Sequence, residues 1–117
     1  MITYDEALKM VRKEFPNWLI RMYDVFDNEY YFHISPGSYF SVDDVAILMV
    51  IVNIETGKIR KYGTGEFVWE VLMNASDDYR KRWAESPKKC KPVDLTPEQW
   101  QEYVNYRGGT SSKERAG

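Results

Sequence analysis

The segment 46–62, AILMVIVNIETGKIRKY, constrains the fold more than any other part of the chain. Residues 46–52 are all apolar and rich in β-branched side chains, which favours a strand over a helix. Because both alternating sets of side chains are apolar, this strand is predicted to be central and covered on both faces. Gly57 can supply the positive φ of a tight turn, and the charged run from Ile59 to Tyr62 is typical of an edge strand. The segment therefore predicts a β-hairpin.

The residues before this hairpin predict one helix and two strands. Thr3 and Glu6 have the spacing of a capping box, apolar side chains then recur at helical spacing, and Pro16 ends the helix. The aromatic and β-branched run from Trp18 to Phe26 predicts a strand. A polar turn leads to a further strand, Tyr30–Ser35.

The residues after the hairpin predict helices. One is predicted over residues 66–74, with Thr64 as its candidate cap and one stripe of four apolar side chains at helical spacing, Phe67, Val68, Val71 and Leu72. A second begins at Asp77. A third begins at Thr96, where Pro97 at the first helical position and Gln99 complete a capping box.

These elements predict an α+β fold in which the N-terminal helix packs on a four-stranded antiparallel sheet and two or three C-terminal helices follow. A chain of 117 residues is the size of one domain. We expect that domain to span residues 1–107. Residues 108–117 are small, polar and charged, and are predicted to form a disordered tail.

Charge and cysteine content narrow the class of protein. The formal net charge is −2 and the charges are interspersed, which argues against a nucleic-acid partner. The single cysteine, Cys90, cannot form an intramolecular disulfide, as is typical of a reducing compartment. The N-terminal residues lack the pattern of a signal peptide, and the longest apolar run is far shorter than the roughly 20 residues of a membrane span. We therefore expect a cytoplasmic protein with no membrane association.

The residues that could support catalysis are few. His33 lies within a predicted strand of aromatic residues, and Cys90 lies in a lysine-rich linker, neither beside a nucleophile pattern. One cysteine and one histidine cannot complete a zinc site. Three pairs of adjacent acids occur: Asp5 and Glu6, Asp43 and Asp44, and Asp77 and Asp78. Adjacent side chains point apart on a helix or strand, so none of these pairs is a candidate acid and base pair. The sequence therefore predicts a protein that is not an enzyme and that needs no metal or cofactor.

Two segments are candidates for binding a partner protein. The loop after the second strand carries Tyr39 and Phe40 beside Asp43 and Asp44, and aromatic residues next to acids are common contact residues. Alternatively, the two rings cover the end of the sheet while the acids face water. The last helix presents an aromatic face that could also support a homodimer; its leading residues are Trp100 and Tyr103.

One cluster of positive charge occurs, and it could contact phosphates or an acidic protein. It consists of Arg80, Lys81, Arg82, Lys88 and Lys89. The alternative is a solvated helix end, because acids of the same helix partly offset the charge.

Short motifs in residues 2–72 resemble the bacterial immunity protein 35 family, related to YrhB. They are ITYDEALKMV, IVNIETGKIRKYGTGE and the apolar helix that follows, of which Glu55-Thr56-Gly57-Lys58-Ile59 and Gly63-Thr64 are the most specific. A helix followed by strands and a Thr-Gly hairpin is also similar to PepSY-like and cystatin-like modules. The chain departs from the family at Asn53, where an acid is usual, and at residues 42–45, where Gly and Pro are usual. Residues 75–117 have no counterpart.

The resemblance implies a non-enzymatic inhibitor that binds a toxin or an enzyme directly. The composition agrees, since nine tyrosines and four tryptophans are more than a core of this size hides easily. We rank an immunity-type inhibitor of a bacterial toxin first. A phage or mobile-element antagonist of a host defence enzyme, of the anti-CRISPR kind, is a variant of it, and a self-associating structural module comes third.

Overall fold

The predicted hairpin is the centre of the fold. A computed structural model describes residues 1–37, 40, 47–85 and 90–105. Within it, β3 (Leu48–Asn53) and β4 (Ile59–Gly63) form an antiparallel pair in which Val52 lies opposite Ile59. Gly57 has φ +73°, as the turn requires. The hairpin prediction is confirmed.

Within the described residues the sheet has five strands, not the four predicted. The other three are β1 (Trp18–Phe26), β2 (Glu29–Pro36) and β5 (Lys91–Pro92), and the order across the open sheet is β4-β3-β2-β1-β5. Every pair of neighbouring strands is antiparallel. The additional strand, β5, falls in the segment that the sequence predicts to be a linker. It has only two residues, too few for an alternating pattern to reveal it.

One helix precedes the first strand, and further helices lie before and after β5. They are α1 (Tyr4–Glu14), α2 (Thr64–Glu70), α3 (Asp77–Glu85) and α4 (97–105). The helix predicted over residues 66–74 is shorter at its C-terminal end, because Val71 interrupts it and Leu72–Asn74 form a 3-10 turn. It also begins earlier than predicted, with Gly63 as its N-cap instead of Thr64. None of the helices that the structure describes is long and apolar enough to cross a membrane.

The two faces of the sheet support two separate cores. On one face, α1 contributes Ala7 and Val11 to a core with the inward side chains of the central strands: Ile20, Phe32, Ile34, Val50 and Val52. On the other face, α2 and α3 cover Tyr31, Met49 and Ile51, which belong to the second core. The side chains of β3 therefore enter both cores, which confirms the prediction that this strand is central and covered on each side.

The caps predicted from the sequence hold the helices in place. In α1, the Thr3 hydroxyl accepts a hydrogen bond from the Glu6 amide, and the Glu6 carboxylate accepts one from the Thr3 amide. The hydrogen bond from the Thr3 amide to the carboxylate lowers the pKa of Glu6. In α4, Thr96 and Gln99 make the equivalent reciprocal pair at 2.9 and 3.1 Å. Both capping boxes are confirmed.

A charged contact joins α1 to the chain after β5. Arg12 of α1 donates two hydrogen bonds to the Asp94 carboxylate, at 2.8 and 3.1 Å. The same carboxylate accepts a hydrogen bond from the backbone amide of Ile20 in β1, at 2.9 Å. A single aspartate thus links three elements.

Candidate functional site

The structure describes three of the six residues predicted to bind a partner. They are Phe40, Trp100 and Tyr103, and all three are half-buried. The other three, Tyr39, Asp43 and Asp44, lie outside the described residues. So do Lys88 and Lys89 of the predicted basic patch, and the predicted tail, residues 108–117.

Phe40 and Tyr103, which are far apart in sequence, meet at a buried arginine. Arg21 lies at a β-bulge in β1 and has no exposed surface. Its guanidinium carbon is 4.8 Å from the centroid of the Phe40 ring and 5.9 Å from that of Tyr103. These distances are typical of cation–π contacts. Each ring therefore presents to a partner only the surface that Arg21 leaves open.

The two predicted aromatic residues of α4 also contact each other. The rings of Trp100 and Tyr103 stack with their centroids 5.7 Å apart and their planes at 22°. Val104, which lies one helical turn after Trp100, is 43% exposed. This face of α4 combines an intramolecular contact at Arg21 with some exposed apolar surface.

The basic run of α3 is partly offset by acids. Arg80 forms an ion pair with Asp77, and Arg82 forms one with Asp78 at 2.9 Å. Arg82 also lies over the ring of Phe26, which places part of its side chain against the second core. The charges of Arg80 and Arg82 are therefore partly neutralised within the protein.

The two residues considered for catalysis lie on different strands or their flanks. His33 lies in the middle of β2, opposite Met22 of β1 and Met49 of β3, and is half-buried. Cys90 precedes β5 and is also half-buried. In the part of the chain that the structure describes, no three residues of the types His, Cys, Asp and Glu lie together as metal ligands would.

A polar network joins the second core to the sheet. The Tyr31 hydroxyl lies 3.0 Å from the Tyr79 hydroxyl of α3 and donates to Glu29 at 3.3 Å. Glu29 pairs with Arg60 of β4 at 2.6 Å, and Arg60 donates to the Tyr62 hydroxyl at 3.3 Å. Burial raises the pKa of both Tyr31 and Tyr79, and the hydrogen bond between them raises that of Tyr31 further. The network therefore joins α3 to β2 through a hydrogen bond between two neutral phenols.

Among the aromatic residues that the structure describes, the most exposed lies on α2, where no binding residue is predicted. Trp69 is 71% exposed and Met73 is 56% exposed. Val68, which belongs to the predicted apolar stripe, is 43% exposed. We call these three residues the α2 patch. The other tryptophans of the chain are half-buried: Trp18, Trp83 and Trp100.

Phe67 determines which way the α2 patch faces. Its side chain is 1% exposed and lies against the rings of Tyr31, Tyr62 and Trp83. In a helix, a residue two positions further along lies on the opposite side, so burial of Phe67 directs Trp69 into solvent. The predicted helical stripe contains this signal, because the same spacing that places Phe67 in the core excludes Trp69 from it.

Known proteins give no further guide to the α2 patch. No protein-family model, curated protein or solved structure matches the chain. The resemblance to immunity protein 35 stays a prediction from short motifs.

Proposed function

We propose that this protein is a non-enzymatic inhibitor that neutralises another protein by binding it directly. The observation that carries this proposal is the α2 patch. Trp69, Val68 and Met73 leave large apolar side chains in water on one short helix and the turn that follows it. Trp69 alone exposes on the order of 150 Å² of side chain.

Exposure of this kind favours a binding role, because apolar side chains in water are unfavourable in free energy for the isolated protein. Scattered apolar side chains are normal on a protein surface, but a tryptophan that is mostly exposed is unusual. Tryptophan is also the residue most enriched among those that dominate binding energy, and methionine adapts its shape to a partner. A residue of each type about one helical turn apart is typical of a protein contact surface.

The helix that carries Trp69 and Val68 is tied to the protein by a buried ring and by a cap, and such preorganisation reduces the entropy lost on binding. Phe67 anchors α2 in the second core. The Glu66 side chain accepts a hydrogen bond from the Gly63 amide at 2.9 Å, which caps the helix. Trp69 is therefore presented from a fixed helix and not from a loop.

The motif resemblance supports the same function. The helix after the Thr-Gly hairpin belongs to the segment, residues 2–72, that resembles the immunity protein 35 family. Immunity proteins of this kind are expected to act by direct binding, which requires a complementary surface and no reactive centre. The target is then a toxin or enzyme of a bacterium, and a host defence enzyme is the corresponding target if the gene belongs to a phage or mobile element.

Genetic neighbourhood provides the test. Each gene that flanks this one in its native genome is expressed in a bacterial host with and without this protein. We expect one product to arrest growth and co-expression to restore it. Absence of rescue for every toxic neighbour, with the protein present and folded, would contradict the proposed function.

Variants identify the surface that carries the inhibition. Trp69→Ala is expected to abolish rescue, and Trp100→Ala, which removes the predicted aromatic residue of α4, is expected to retain it. The reverse result would show that α4 is the binding surface. Circular dichroism checks that both variants are folded.

A further inference from the structure

The outward face of α2 combines apolar and acidic side chains in a regular order. Glu66, Trp69 and Glu70 occupy positions i, i+3 and i+4 of α2, which share one face of a helix. Both glutamates are exposed. Met73, which is 56% exposed, lies in the 3-10 turn that directly follows α2. The outward face of α2 therefore presents an apolar stripe with carboxylates beside it.

These two glutamates differ in their ion pairing from the acids of the next helix. The structure gives six ion pairs among the residues that it describes, and neither Glu66 nor Glu70 belongs to one. By contrast, Asp77 and Asp78 of α3 each pair with an arginine. The outward face of α2 thus keeps two negative charges that a partner can complement.

We propose that the target presents a cationic amphipathic helix to this face, an inference that rests on the proposed inhibitory function. The apolar stripe of that helix covers Trp69 and Met73, and lysines or arginines at its margins pair with Glu66 and Glu70. Helices pack by interlocking rows of side chains, and complementary charges at the edges fix their register. Since α2 is about 10 Å long, roughly three turns of the partner helix suffice.

Charge also separates this partner from the other surface that accepts exposed tryptophans, an anionic membrane. Indole rings insert at lipid headgroups, but anionic lipids repel carboxylates at the same depth. Glu66 and Glu70 lie on the same helix as Trp69 and are exposed, so they disfavour an anionic surface and favour a basic one.

Two synthetic helical peptides test the inference. They have equal length and identical leucine positions, and their polar positions are all lysine in one and all glutamate in the other. Each is titrated into the ¹⁵N-labelled full-length protein, and the Trp69 indole and the backbone amides are followed by NMR. We expect the lysine peptide to shift signals of residues 64–74, and the glutamate peptide to bind at least about tenfold more weakly.

Paired variants separate a local effect from one of net charge. Glu66→Gln/Glu70→Gln removes the two carboxylates of α2, and the glutamine introduced at the first position can still cap the helix. The control, Glu98→Gln/Glu102→Gln, makes the same change in charge at the same i, i+4 spacing on α4. At low ionic strength we expect the first pair to weaken lysine-peptide binding about three- to tenfold and the control to change it less than about twofold. Trp69→Ala is expected to weaken it by more than about tenfold.

Several results would overturn the inference. They are equal affinity for the two peptides, shifts centred on α4, and a response of Trp69 to phosphatidylglycerol vesicles in place of the lysine peptide. If Trp69→Ala also abolishes growth rescue, such a result leaves the inhibitory function standing and removes only the cationic helix as its target. Lysine-peptide binding at α2 without rescue of any toxic neighbour would instead remove the inhibitory function.

Discussion

Phe67 and Trp69, two residues apart in α2, are predicted to differ sharply in their effect on stability. Phe67 is 1% exposed, and its ring centroid lies 4.7 Å from that of Trp83. Removing a buried phenylalanine ring costs about 3–5 kcal/mol, and the better helix propensity of alanine returns at most about 0.5 kcal/mol. We therefore expect Phe67→Ala to lower the free energy of unfolding by about 3 kcal/mol. Trp69→Ala removes a larger side chain, but one that contacts mainly water, and is expected to change it by less than about 0.5 kcal/mol.

Equilibrium unfolding in urea measures both variants against the parent protein. With a slope of roughly 1.5 kcal/mol per molar urea for a domain of this size, Phe67→Ala is expected to lower the midpoint by about 2 M. Trp69→Ala is expected to leave both the midpoint and the slope unchanged. Far-UV circular dichroism in the absence of urea shows whether each variant begins from the same fold.

The comparison would refute the placement of α2 in either of two ways. A loss of more than about 1.5 kcal/mol in Trp69→Ala would mean that this ring is buried, as for a core tryptophan. A loss of less than about 1 kcal/mol in Phe67→Ala would mean that α2 is not anchored through this ring. In both cases the α2 patch would cease to be a candidate binding surface.

Three further predictions concern other contacts. The folded pKa of Tyr31 and of Tyr79 lies above the ordinary value of 10.0, so the stability that these phenols contribute is intact below about pH 10 and decreases above it. Urea unfolding at about pH 8 and 11 should therefore show a smaller loss of stability between the two pH values in Tyr31→Phe/Tyr79→Phe than in the parent protein. Gly57→Ala places a side chain at φ +73° with its Cβ 3.3 Å from an isoleucine methyl group, so thermal unfolding should show a loss of about 1–2 kcal/mol in the free energy of unfolding. An unchanged melting temperature would contradict the turn geometry. Asp94→Ala removes the partner of Arg12 and of a strand amide, and should cost about 2 kcal/mol in urea unfolding, whereas Arg12→Ala, which leaves the amide contact intact, should cost less.

The elements that the sequence predicts well are those specified by neighbouring residues. The cap of α1 depends on Thr3 and Glu6, which are three residues apart, and the turn of the central hairpin depends on Gly57. The strand predicted from Trp18 to Phe26 has the observed bounds, because a long aromatic and β-branched run ends at a polar turn. Such signals act over a few residues and need no knowledge of the rest of the fold.

The features that the sequence did not predict depend on contacts between distant residues. β5 is a strand only because Lys91 and Pro92 lie beside Tyr23 and Met22 of β1. The contact of Arg21 with Phe40 and Tyr103 brings together three segments whose local patterns are unrelated. Nothing in the residues around Arg21 distinguishes it from an arginine on a solvent-exposed strand, so its burial is a property of the tertiary fold.

Composition correctly suggests that aromatic side chains exceed what the core needs, but it does not say which are in excess. Tyrosines that appear available for a partner in the sequence lie in ring contacts within the protein. The ring centroids of Tyr4 and Tyr23, for example, are 4.3 Å apart. Trp69 belongs to the same aromatic-rich chain, yet the burial of Phe67 two residues earlier excludes it from the core. Identifying a contact surface from such a sequence therefore requires the orientation of each helix first. In α2, one anchored ring defines that orientation and so determines which tryptophan is available to a partner.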